Sequence, residues 1–130
     1  MEEEEKFKGR FIITDSPYFQ LDYEDFPFYI VHSAYPHDFE LQKIVVKIKS
    51  GNFVSYVGDK ENAKEISKLL GVEISVNKET VKLKTCDQMV HFIKKDGRKL
   101  KVEDTYETAS LGQFWIILTT VYGDCENELI

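Results

Sequence analysis

Two hydrophobic periods organise the chain. Apolar and β-branched runs predict strands at residues 11–14 (FIIT), 28–32 (FYIVH) and 89–93 (MVHFI). The longest run, residues 114–122 (FWIILTTVY), is continuous enough to predict a strand buried in the middle of a sheet. Between residues 43 and 49, Ile44, Val46 and Ile48 alternate with Lys43, Lys47 and Lys49, the pattern of a strand with one wet face. Ser50-Gly51-Asn52 then predicts a turn, with residues 53–57 returning as the other half of a hairpin. A second hairpin is predicted from residues 72–76 and 81–84 around Asn77-Lys78, with lysines on its outer face. Helical spacing is clearest after Val57-Gly58. Asp59 is a favoured N-cap, Ala63, Ile66, Leu69 and Leu70 share one face, and Gly71 supplies a left-handed stop. Glu103 and Asp104 with Gly112 predict another helix over residues 102–111, and Tyr18, Phe19, Leu21, Tyr23 and Phe26 a single helical turn over 18–26. Turns are expected at Asp15-Ser16-Pro17, at Pro36-His37-Asp38 and at the cationic stretch Lys94-Lys95-Asp96-Gly97-Arg98. These elements make an α+β fold, with a mixed sheet of about five to seven strands flanked by about two or three helices.

Length and composition narrow this to one domain. A chain of 130 residues with 42% hydrophobic content can bury a core of its own. Residues 1–9 read as an acidic disordered tail, residues 10–122 as the domain and residues 123–130 as a C-terminal tail. No apolar run approaches a membrane span, and MEEEEKFKGR is acidic where a secretory signal is basic and then apolar, so a soluble intracellular protein is expected. Cys86 and Cys125 stand far apart without metal-ligand spacing; they suggest neither a zinc site nor a disulfide framework and leave room for one disulfide. No cofactor motif is present.

Charge changes the picture, because the net −6 is segregated. From position 43 to 101, 14 Lys and Arg accompany 7 Asp and Glu, whereas the two flanks hold 3 basic and 16 acidic residues. A positive centre on an acidic chain suits a compact anion better than a long nucleic acid, whose backbone the flanks would repel. The corner from Val57 into the helix is a natural seat for that anion: a helix start presents unpaired N–H groups backed by the positive end of its dipole. Asp59 and Glu61 work against it by placing negative charge at the same spot. His32, His37 and His91 lack HxxxH or HExxH spacing, so a metal site has no support; loop-borne His37 is the one placed for acid–base work.

Taken together, the strand ending at Ser16, the Val57-Gly58 corner, the helix stop at Gly71, the following lysine-bearing segment, the Gly97 turn, the Gly112 stop and the final aromatic strand resemble the viral ring nuclease family, the type III anti-CRISPR protein of archaeal viruses. The resemblance covers roughly residues 11–122 in spacing and hydrophobic pattern. It implies a homodimer in the host cytoplasm that binds cyclic tetra-adenylate, a second messenger, and cuts it without metal by attack of a ribose 2′-hydroxyl. It implies ligand contacts from Ser16, Gly58, Asp59, Lys60, Lys78, Lys94, Lys95 and Arg98. In the family a histidine after the corner glycine protonates the leaving oxygen, and here that position is Asp59. A carboxylate ionised at neutral pH donates that proton poorly and repels the phosphate. The expectation is therefore a binder that lacks the catalytic acid. Two alternatives stand beside it: a viral interaction protein that kept the fold and binds a protein, and an active ring nuclease using a displaced His37 or His91.

Overall fold

The computed structural model describes residues 8–22, 30–95, 110–126 and 129–130. Its chain order is β1 (Phe11–Thr14), β2 (Gln20–Leu21), β3 (Ile30–Ala34), α1 (Asp38–Lys49), β4 (Val54–Tyr56), α2 (Lys60–Leu70), β5 (Lys82–Leu83), β6 (Gln88–Lys94), β7 (Ser110–Leu111) and β8 (Phe114–Tyr122). Five strands lie side by side as β3-β8-β6-β1-β4, with β7 added to β8 as a sixth strand, while β2 and β5 pair separately. β1 runs parallel to both β4 and β6, and β8 runs antiparallel to β3, β6 and β7. This is a mixed sheet with two helices, an α+β domain.

β1 explains why the sheet has two covered faces. All four of its residues are buried, and successive side chains of a strand point to opposite sides. Ile13 joins Val90, Phe92, Phe114 and Ile116 in a core completed by Ile44 and Ile48 of α1 and by Ala63, Ile66 and Leu70 of α2. Ile12 joins Met89 and Val121 in a second core closed by Val81 and Leu83. β8 is paired on both sides and carries Phe114 against Phe92 edge-on, their centroids 5.8 Å apart.

Several sequence readings are corrected here. Residues 43–49 are not a strand; they belong to α1. Ile44 and Ile48 are fully buried one helical turn apart, whereas Val46, supposedly on the same strand face, is 67% exposed. Asp38 and Glu40 in the first turn and Lys47 and Lys49 in the last complement the helix dipole, so two of the three lysines read as a wet strand face are charges at a helix end. The first hairpin therefore does not form, and β4 aligns parallel to β1 in the register Ile13↔Ser55.

The second hairpin is also absent. Ile74 packs in the first core and Val81 and Leu83 in the second, so the segment crosses from one side of the sheet to the other. Val76 instead bridges Val57 in parallel, and β5 pairs with β2, so the described part of the helical turn expected over 18–26 holds a strand at Gln20–Leu21, while residues 23–26 lie outside the described residues. The helix predicted over residues 102–111 lies outside the described residues up to 109, and its last two positions form β7. Gly112, at φ +53°, turns the chain between β7 and β8 rather than ending a helix. Of the strand predicted at 28–32, residues 28 and 29 lie outside the described residues, and the described strand runs from Ile30 to Ala34.

At the amino ends of β1 and β6 the chain is tied into a knot. The Asp87 carboxylate, 1% exposed as a residue, accepts from the Arg10 backbone N–H at 2.8 Å, from Arg10 Nη2 at 2.6 Å and from the Lys84 N–H at 2.8 Å. Its hydrogen bond holds the Arg10 guanidinium proton above the ordinary arginine range. Beside it Cys86, at φ +71°, forms a disulfide with Cys125. Within the segment read as a tail, the Ile130 N–H also donates to Gln88 Oε1 at 3.2 Å. No helix among the described residues is long and apolar enough to cross a membrane.

Candidate ligand site

The opposite, carboxyl ends of the parallel strands gather the residues singled out above. β1 leaves the sheet into Asp15-Ser16, and β4 leaves it through Val57-Gly58 into α2. Ligands of open sheets are received at such an end, where adjacent loops diverge. α2 forms as its sequence predicts. The Asp59 carboxylate accepts from the N–H groups of Glu61 at 2.7 Å and Asn62 at 3.1 Å, and Gly71 closes the helix at φ +68°. Leu69, placed on the inner face by spacing, is instead 44% exposed.

The N–H groups at the corner already have an anionic partner within the chain. Asp15 Oδ1 accepts from Gly58 N–H at 2.9 Å, and Asp15 Oδ2 accepts from Asp59 N–H at 3.1 Å and Asn62 Nδ2 at 3.0 Å. A carboxylate from the turn after β1 thus sits where a phosphate was expected. Gly58 itself is not left-handed, and a Cβ added there would meet only ordinary contacts, 3.8 Å from Asp15 Oδ1 and 3.9 Å from the Lys78 Cα. What the corner contributes is backbone N–H. The Val57↔Val76 bridge and the Asn77 N–H donated to the Val57 carbonyl at 2.9 Å bring Lys78 beside Gly58.

His91 holds the other side of the turn. Its Nδ1 lies 2.8 Å from the Ser16 carbonyl, which can only accept, so Nδ1 carries the proton and Nε2 accepts from the Thr119 hydroxyl at 2.8 Å. Ser33 Oγ then donates to Thr119 Oγ1 at 2.6 Å. Burial pushes the His91 pKa below the usual histidine value, an effect the Ser16 bond partly offsets. The imidazole is neutral and both nitrogens are engaged.

Through Asp15 the structure ties the turn that holds Ser16 to Gly58 and Asp59, with the Lys78 backbone beside Gly58 and Lys60 opening α2. Lys94 and Lys95 take other partners: Lys94 pairs with Glu65 of α2 at 3.4 Å, and the Lys95 ammonium lies 4.3 Å from the centre of the Trp115 ring. Arg98 lies outside the described residues. His37 caps α1, and His32 is exposed on β3. Sequence reasoning missed Asp15 and the tie from His91 to Ser16. An acid directly after a β-branched strand was a signal for the first; nothing local announced the second.

Comparison with known proteins adds a family. The sequence pattern described as STIV B116-like matches residues 29–108. Among solved structures the chain is similar to B116 of Sulfolobus turreted icosahedral virus, with a TM-score of 0.58 at 13% identity, over 86% of this chain and 99% of that one. At that identity the likeness speaks to the fold. No curated protein sequence matches.

Proposed function

The chain belongs to the STIV B116-like family, and from that premise we propose that it is a viral protein that captures a small cyclic phosphate ligand, cyclic oligoadenylate, where two copies meet. Capture withholds the messenger from the nucleases it activates, an anti-CRISPR action that needs no cleavage. One observation supports this reading: Asp15 ties the turn that holds Ser16 to the Gly58 corner, and the backbone of Lys78 lies beside that corner, with Lys60 opening the helix that follows. A two-fold-symmetric ring suits a site made by a patch facing its own copy.

The same geometry speaks against turnover. Asp59 stands at the position of the acid and is spent on capping α2, and His91 is buried with both nitrogens bonded. Neither offers a proton to a leaving oxygen. Because Asp15 covers the Gly58 and Asp59 N–H groups, phosphate contacts among the described residues fall to Lys60, Lys78 and the Ser16 hydroxyl. That same carboxylate favours a second reading, in which the fold has lost the ligand and binds a protein. Saturating cyclic tetra-adenylate is expected to raise the melting temperature, Lys78→Ala or Arg98→Ala to abolish the rise, and incubation to yield no linear product. A melting curve indifferent to the messenger would leave only the protein-binding reading; linear product would restore the enzyme.

A further inference from the structure

The loop between β1 and β2 is held by hydrogen bonds at Asp15, Ser16 and Tyr18, yet it leaves its largest side chain in water. Ser16 N–H donates to Thr14 Oγ1 at 3.2 Å, the Ser16 carbonyl accepts from His91, Tyr18 N–H donates to Ser16 Oγ at 3.1 Å, and Gln20 N–H donates to the Val81 carbonyl at 2.9 Å. Phe19 turns inward, its ring 6.1 Å from that of His91 and packed on the second core. Tyr18 turns outward and is 79% exposed, the most exposed large hydrophobic residue described. A pinned backbone cannot fold over to cover that ring.

We infer that Tyr18 determines specificity at the proposed site by stacking on a nucleobase of the ligand, an inference that rests on the capture reading above. The Tyr18 N–H bond to Ser16 Oγ keeps the two residues together at the carboxyl end of β1. The division of labour follows from chemistry. Lys60 and Lys78 carry charge suited to phosphates, whereas a phenol ring has no charge to offer them but presents a flat face that a purine can cover. An aromatic side chain on a fixed backbone loses only its own χ freedom on stacking, which keeps the cost of recognition low. Among the described residues the other exposed aromatic rings are placed differently: the Lys43 ammonium covers Phe39 at 4.6 Å from its centre, on α1, and Tyr122 ends β8 at the opposite end of the sheet.

The test titrates wild type, Tyr18→Phe and Tyr18→Ala with cyclic tetra-adenylate and, separately, with inorganic tripolyphosphate as a probe that has phosphates but no base. Tyr18→Ala is expected to weaken cyclic tetra-adenylate binding about fivefold or more, the Phe variant to stay within about twofold of wild type, and tripolyphosphate to bind all three alike. The Tyr18 ring proton signals should shift upfield on adding the messenger but not on adding tripolyphosphate. Since the ring is exposed, the Ala variant should melt as wild type does, which separates lost stacking from lost folding. Unchanged cyclic tetra-adenylate binding by Tyr18→Ala would overturn the role of Tyr18 and leave capture standing. Equal loss for both probes would also overturn it, and failure of wild type to bind the messenger would overturn both.

Discussion

The two ends of the β1 strand use the same device, a carboxylate collecting several N–H donors, to opposite effect. At the amino end Asp87 is almost fully buried and faces a guanidinium, with the disulfide and the Gln88 contact to Ile130 packed around it. At the carboxyl end Asp15 is only partly buried, receives uncharged donors from the start of α2, and has lysines on the neighbouring segments. A buried carboxylate matched to a fixed cation is a structural joint, because nothing in solution can replace it without stranding the partner. One held by backbone N–H groups at the solvent edge satisfies a helix start while staying exchangeable. The comparison locates a closed, buried joint at one end of the sheet and a partly exposed, exchangeable one at the other.

The largest expected effect tests the rigid end. Asp87→Ala leaves Arg10 and two backbone donors without their acceptor and should cost about 3 kcal/mol or more, read from urea unfolding at pH 7. A loss near that for an exposed ion pair would break the contrast. Asp15→Ala should cost less, about 1 kcal/mol, because water can reach the freed N–H groups at the start of α2. The same variant should bind phosphate more tightly than wild type does. A destabilisation equal to that of Asp87→Ala, with no gain in phosphate binding, would erase the distinction between the two ends.

The smallest effect comes from His91. Its folded pKa lies below the ordinary value of 6.5 because of burial. As pH falls through that value the unfolded chain takes up the proton first, so the stability is fully present above it and is lost as pH drops toward the folded pKa. Unfolding followed from pH 7.5 down to about pH 5 should show this decline, and His91→Gln should flatten it. A stability that rose on acidification over the same window would contradict a neutral buried imidazole.

How far these features were legible depends on whether their cause is local. α2 was readable from Asp59 to Gly71 because cap, apolar spacing and left-handed stop all lie within one short segment, and β8 was readable because nine consecutive residues agree. α1 was misread because Ile44, Val46 and Ile48 fit an alternation as well as an i,i+4 pair; only the packing of Ile44 and Ile48 against the sheet tells them apart. The segment holding Ile74, Val81 and Leu83 was misread because spacing does not reveal that its two halves serve opposite faces. Lys78 was placed on a hairpin that does not exist and reaches Gly58 through a parallel bridge instead.

By itself the sequence determined the α+β class, the capped helix after Gly58, the long inner strand and the positive centre of an acidic chain, since each is written in neighbouring residues or in simple counts. Tertiary structure alone decided which anion meets the α2 N–H groups, that His91 fixes Ser16, and that Tyr18 stays in water while Phe19 does not. Those contacts join positions more than forty residues apart in the chain, or turn adjacent ones to opposite sides, and strand order is what sets them.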